Sequence, residues 1–340
     1  MGKVMDFRDR AKQAKTLAGK LARERLCNLN YSLDVLQAFD HVNNADSDSG
    51  AIPLGVVLMD VAWQISGNIP SEKDLAVAFF PINSFFQGTV YQDDLLDSLS
   101  AEKPRTLVKN LGMSTSLIMG NVLYCEALVS LINMHKNDKI IDKLLKSAER
   151  LVRYVMDSEI VRRNHTGKIL PFEEFLRIWR RLTPNRICIE IGGILGNSDE
   201  KEIQILTEIG ANISLTRRIL KEINEMYGLK GPLKEKLPNK PPPLPVTLAF
   251  ELSTSLEKNK LEEAIKRYSS MDSAIVTHDV ATKEIELLID IVAKYNSINT
   301  ALKIHRGIIN ETRELIAQIS NSEHRDVLTQ ILGSEVLNTS

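Results

Sequence analysis

The sequence predicts an all-α protein, and three observations predict it. Leu, Ile and Val recur at i, i+3, i+4 and i+7 with charges between them through most of the chain. No segment sustains the period-2 alternation of a half-buried strand. Clusters of Gly, Pro, Asn, Asp and Ser interrupt the helical pattern at short intervals, as helix connections do. With 340 residues, 43% of them hydrophobic and 26% charged, the chain can bury a large core and is not of disordered or fibrous composition.

The elements follow in order. Met1–Arg25 is amphipathic and rich in Lys and Arg, but Asp6, Asp9 and Glu24 interrupt it and no apolar stretch follows, which excludes a signal peptide. Helical pattern then runs through Asp142–Asp157, Pro171–Leu182, Glu200–Tyr227, Ser255–Ser269 and Thr282–Ile319. Breaks are expected at Asn43–Gly50, Gly67–Ser71, Ala101–Arg105, Arg163–Gly167, Gly192–Glu200, Gly228–Pro245 and Ser269–Ser273. The proline-rich Gly228–Pro245 reads as a stiff loop between two helices. Asn110–Met134 is the most apolar segment, yet Ser114, Thr115, Ser116, Asn121 and Glu126 shorten its uncharged run, so it reads as a buried helix and not a membrane span. A single domain over 1–340 is expected.

Composition excludes several functions. Lys plus Arg number 43 and Asp plus Glu 44, a net charge of −1 that gives no field for nucleic acid or an anionic membrane. Cys27, Cys125 and Cys188 are too scattered for a disulfide framework or a zinc site and suit a reducing, cytoplasmic compartment. The six histidines show no metal spacing and are assigned to surface or loop positions. Gly192, Gly193 and Gly196 follow no strand, which argues against a dinucleotide site.

Phe85-Phe86-Gln87-Gly88-Thr89-Val90-Tyr91-Gln92-Asp93-Asp94-Leu95-Leu96-Asp97 is the most informative stretch. On a helix Asp93 and Asp97 share a face, with Asp94 about 100° round. Hard carboxylate oxygens so spaced suit Mg²⁺, which bridges protein carboxylates to substrate phosphates. An acidic surface face gives the same pattern, but here an uncharged aromatic run precedes it, as at the mouth of a cavity.

This motif resembles the first aspartate-rich motif of the trans-isoprenyl diphosphate synthases, the polyprenyl synthetase family. Gly120-Asn121 stands where that family has Gly-Asp, and Phe172-Glu173-Glu174-Phe175-Leu176 leading to Leu182-Thr183 is similar to its stretch ending in Lys-Thr. Leu244-Pro245-Val246-Thr247-Leu248-Ala249 looks like its Leu-Pro-x-x-x-Ala. The resemblance covers roughly residues 20 to 335. It implies an isoprenoid synthase helical bundle around a central cavity, Mg²⁺ at Asp93 and Asp97, an allylic prenyl diphosphate as substrate, and a dimer. It also implies that Asn121, Thr183 and Phe85 line the channel, with Gly88 and Thr89 setting its depth.

The chain departs from the family's pattern in ways that bear on function. Ser49-Gly50-Ala51-Ile52-Pro53 replaces the Gly-Lys-x-x-Arg-Pro-like motif that holds isopentenyl diphosphate, and in place of the paired arginines expected soon after the first motif Ser98–Arg105 offers only Lys103 and Arg105. Where the second aspartate-rich motif belongs stands Arg217-Arg218-Ile219-Leu220-Lys221. A terpene cyclase pattern nearly forms at Asn212 and Thr216, but its acidic member falls on Leu220. Two readings of the cations compete: Arg217, Arg218 and Lys221 hold a diphosphate directly, or they form salt bridges to Asp93, Asp94 and Asp97 in a dead site. The expected function is a divergent prenyltransferase-like protein. Its alternatives are a non-catalytic or regulatory subunit pairing with an intact prenyl synthase, and a terpene cyclase-like diphosphate lyase.

Overall fold

In the computed structural model, residues 2–48, 54–99, 106–181, 183–227, 241–270 and 278–337 are described, and every regular element among them is a helix. The chain divides into two compact units. One comprises Met1–Leu151, Pro184–Gly210 and Leu315–Ile331, the other Val152–Thr183, Ala211–Glu314 and Leu332–Ser340.

In the first unit, α1 (Gly2–Asn28) buries Phe7, Ala11, Ala14, Ala18, Ala22 and Leu26 on one face. That spacing is one side of a helix, and its alanines let α1 lie close against α4 (Glu72–Leu99). Ser71 and Asp74 start α4 with a capping box, the Asp74 N–H donating to Ser71 Oγ at 3.1 Å and the Ser71 N–H to Asp74 Oδ2 at 3.0 Å. Helices α2 (Leu33–Asp48), α3 (Leu54–Gln64), α5 (Thr106–Leu111) and α6 (Met113–Ile132) follow, with the first part of α7 (Asp138–Asn164). The chain returns with α9 (Pro184–Leu195) and the start of α10 (Glu200–Met226). Gly192 explains the glycines of α9: a Cβ there would strike the Met59 carbonyl of α3, so the residue permits close helix packing.

Among the described residues of this unit a charge is fully enclosed. Asp60 of α3 has no exposed surface, and Arg10 holds it through Nε at 2.7 Å and a second nitrogen at 3.1 Å. Gln64 donates to the same carboxylate at 2.7 Å, and Arg10 also donates to the Pro70 carbonyl at 2.7 Å. A carboxylate taken out of water persists only with such a set of donors.

The second unit contains the rest of α7, α8 (Phe172–Arg181), most of α10, α11 (Leu244–Leu252), α12 (Ser255–Ser270), α13 (His278–Lys294) and most of α14 (Ser297–Ala317). Phe175, Ile178, Leu215, Ile219, Leu244 and Ile308 form one core, and Val246, Leu261, Leu288 and Val292 belong to another. The last helix, α15 (Ser322–Leu337), begins in the first unit, where the His324 ring meets Phe7 edge-on.

Three sequence expectations change. The continuous pattern of Thr282–Ile319 is two helices, because Asn296 adopts φ 50° between them. Asn tolerates the left-handed region better than most residues, and Asn30 and Asn197 do the same after α1 and α9. The break expected at Asn43–Gly50 starts later, since α2 continues to Asp48; each Asn or Asp costs a helix only about 0.7 kcal/mol. His305 and His324 are buried on helices at 4% and 7% exposure, and not at the surface. Residues 49–53, 101–105 and most of the proline-rich loop lie outside the described residues.

Two measurements test these contacts. Arg10→Gln strands Asp60 without its cation and should lower unfolding free energy by about 3 kcal/mol in urea titrations; an unchanged midpoint contradicts the enclosed pair. Burial, reinforced by Arg306, lowers the His305 pKa. The native state therefore binds its proton less readily than the unfolded chain, and the stability from this group, complete above about pH 6.5, falls as pH drops below it. His305→Gln should flatten that acid limb of the stability curve.

Candidate functional site

The turn of α4 bearing Asp93 is held from both sides. Tyr91 is fully buried and its hydroxyl donates to the Ala38 carbonyl of α2 at 2.8 Å, while burial pushes the phenol pKa well up. Gln92, the next residue, meets α6: its Nε2 donates to Asn121 Oδ1 at 3.3 Å and its Oε1 accepts from the Tyr124 hydroxyl at 3.2 Å. Asp93 follows, half-buried. Asp94 and Asp97 lie on the same helix, and their side chains are outside the described residues.

Tyr124 of α6 ties this turn to the aromatic run before it. Its ring packs on Phe85 at 5.0 Å between centroids, and its hydroxyl also lies 3.3 Å from Thr89 Oγ1. Phe85 is 6% exposed and meets Phe86 edge-on. Thr89 donates to the Phe85 carbonyl at 3.0 Å. A Cβ on Gly88 would come within 2.9 Å of the Gly120 carbonyl and 3.1 Å of the Tyr124 ring. Gly88 thus lets α4 and α6 approach, and of the two small residues assigned to channel depth only Thr89 carries a side chain here. The structure links Phe85 and Asn121 through Tyr124 and Gln92, on the turns of α4 that lead up to Asp93. Sequence reading passed over those two, although their i+3 and i+7 spacing from Thr89 and Leu117 offered a weak helical signal.

In the second unit, Thr183 is buried at 3% exposure beyond the end of α8. The three cations of α10 divide. Arg217 and Lys221, one turn apart, are exposed. Arg218 instead lays its guanidinium over Trp179 of α8, 3.8 Å from the ring centroid, and pairs with Glu222. Glu222, 4% exposed, accepts the Leu244 N–H at 2.9 Å, satisfying a donor at the start of α11. Arg162 lies 5.7 Å from the same Trp179 ring centroid. Arg218 therefore joins α8, α10 and α11. Asn212 and Thr216 are buried: Asn212 lies 3.4 Å from Glu311, and Thr216 bonds the Ile213 carbonyl at 2.8 Å. Among the described residues no group of three or more His, Cys, Asp or Glu side chains is placed to hold a metal.

Helix α6 is long and apolar enough to cross a membrane, with mean hydropathy 1.5 over Met113–Ile132. Within it Glu126 is buried, paired with Arg25 of α1 at 2.5 Å and approached by the Tyr31 hydroxyl at 3.4 Å. Its other face exposes Met113, Leu117, Ile118, Leu128, Val129 and Ile132.

No protein-family model matches the chain, and no curated protein does. Solved structures do. Geranylgeranyl pyrophosphate synthetase from Pyrococcus horikoshii Ot3 superposes with a TM-score of 0.79 at 16% identity, over 98% of this chain and 97% of that one. Decaprenyl diphosphate synthase from Rhodobacter capsulatus gives 0.78 at 17%, over 98% and 99%. Polyprenyl synthase from Caulobacter crescentus CB15, solved with calcium and isoprenyl diphosphate, gives 0.74 at 17%, over 99% and 98%.

The Gly88 contact has a measurable consequence. Alanine gains about 1 kcal/mol over glycine in a helix interior, yet Gly88→Ala should destabilise the protein by about 1–3 kcal/mol in denaturant titrations, because the new methyl meets a backbone carbonyl. A gain in stability would show the residue small for another reason. From α2 to α11, then, the helices that carry these residues are laid out in the all-α fold of the polyprenyl diphosphate synthases.

Proposed function

We propose that this chain is a divergent prenyltransferase-like protein of isoprenoid metabolism that binds an allylic prenyl diphosphate through Mg²⁺ at Asp93, Asp94 and Asp97. The observation that carries the reading is the Asp93 turn, fixed by Tyr91 and Gln92 in a chain that follows the synthase fold almost end to end. The donor set fits the metal: three carboxylates within five residues on one helix supply hard oxygens. When bound, Mg²⁺ would stabilise charge on the leaving diphosphate. Calcium and isoprenyl diphosphate in the Caulobacter crescentus enzyme support this ligand class.

The residues of this chain have separate tasks in that reading. Asp93 and Asp97 hold the metal, with Asp94 beside them. Arg217 and Lys221 neutralise phosphate by charge-assisted hydrogen bonds, and Arg218 acts with them by keeping α10 in place. Asn121, Thr183 and Phe85 shape the prenyl end. The acceptor motif being eroded, the carbon product is a different acceptor's adduct or a cyclised chain. Unit boundaries that fall inside α7, α10, α14 and α15, with one more in the short connection between α8 and α9, support one domain over 1–340, and the unpaired cysteines suit a cytoplasmic setting.

A second reading, the subunit of a dimeric synthase, is favoured by the exposed face of α6. Leu117 and Ile118 lie on one side of Leu123 and Leu128 and Val129 on the other, with Met113 and Ile132 near the ends. An antiparallel partner helix across a two-fold axis would meet the same spacing in reverse, which is what a self-complementary interface requires. The partner is a second copy or an intact synthase.

Diphosphate release from geranyl, farnesyl and geranylgeranyl diphosphates should require Mg²⁺ and fall at least a hundredfold in the Asp93→Ala, Asp97→Ala double variant. Release that survives both substitutions removes the proposed metal site; no release alone, with altered products on mixing with an intact synthase, selects the subunit reading. In sedimentation, Leu117→Ser with Leu128→Ser should shift the chain to monomer.

A further inference from the structure

A groove of about 550 Å³ opens in the first unit between α7, α9 and α10, away from the residues assigned above. Lys139, Lys143, Lys146 and Arg150 line it from α7. Their spacing of four, three and four residues puts all four within an arc of about 60° on one helix face, a row about 16 Å long. Ile194 and Ile203 supply its apolar wall.

Carboxylates also line the groove, but they are committed unequally. Glu190 is buried at 5% exposure, accepting from Ser147 Oγ at 2.5 Å and pairing with Arg150, so it orients that guanidinium at the end of the row. Asp142 pairs with Lys146 along the helix at 2.7 Å. Lys143 reaches Glu200 only at 3.7 Å, with both side chains largely in water. Asp138 stands in the first turn of α7, where the helix dipole favours an acid. Lys139 has no carboxylate within ion-pair distance among the described residues. Exposed pairs of this kind contribute little, so a multiply charged anion can displace them.

We propose that this groove binds a small anion carrying two or more phosphate groups, with Lys139 and Lys143 as its principal contacts, Arg150 at the end of the row and Lys146 released from Asp142 to join them. A single phosphate spans too little of the row to engage both principal lysines and Arg150. The size of the groove falls in the range of small-molecule sites.

Calorimetric titration of the full chain with inorganic tripolyphosphate, in EDTA so that a Mg²⁺-dependent site stays silent, tests this. One saturable site is expected, weakening at least tenfold between 50 and 200 mM salt. Lys139→Gln with Lys143→Gln should weaken binding at least tenfold, whereas Arg217→Gln with Lys221→Gln should leave it within twofold. Both pairs of changes lie on exposed side chains, and matching thermal melts would confirm folded variants. No saturable binding, undiminished binding in the Lys139 and Lys143 variant, or loss in the Arg217 and Lys221 variant each overturns the proposal. Loss in the Arg217 and Lys221 variant would place the polyphosphate at the cations assigned to the substrate diphosphate; diphosphate release at Asp93 is measured separately, with Mg²⁺ present.

Discussion

The close approach of α4 and α6 at Gly88 and Gly120 is the constraint on which the candidate site depends. With no side chain at Gly88, the Gly120 carbonyl and the Tyr124 ring come to the surface of α4. Tyr124 can then reach Thr89 and Gln92, and Gln92 can reach Asn121. These bonds fix the rotation of α4 about its axis at the turn where Asp93 begins the acidic motif. Rotation matters because carboxylates one turn apart converge on a single ion only if their shared face is aimed at it. Close packing on one side of α6 also leaves its other face to display a row of apolar side chains.

Much of this fold was legible in the sequence, because helical periodicity records which face is buried. The pattern over Glu200–Tyr227 became α10 within a residue, and Pro171–Leu182 became α8 nearly unchanged. What stayed hidden was set by partners distant in sequence. Nothing local marks Asn296 as a helix break apart from its tolerance of positive φ. His305 looked like a surface residue because a lone histidine carries no periodic signature, and its burial comes from packing around α14. Gly192 and its neighbours were legible as something other than a nucleotide loop, but their packing against α3 needed the tertiary structure.

The cations of α10 show how a cluster of like charges can be accommodated. Three basic residues in five would repel one another if all faced the same space. Arg218 escapes by lying on the face of Trp179, where the ring quadrupole attracts it, and by meeting Glu222. Glu222 in turn completes the first turn of α11. Arg218 is thus part of the frame, whereas Arg217 and Lys221 keep their charge at the surface. Along the sequence the three read as one basic cluster; their side-chain environments separate them.

The pair between Arg25 and Glu126 bears on how the chain is made. Helix α6 leaves the ribosome as an apolar segment that resembles a membrane span, and its buried glutamate is unfavourable both in lipid and in an unfinished protein core. Its cationic partner lies on α1, about a hundred residues nearer the N-terminus, and so emerges first. Vectorial synthesis therefore presents the counter-ion before the charge that needs it, and α6 can dock on a surface already prepared, in place of waiting exposed to insertion machinery or to other nascent chains.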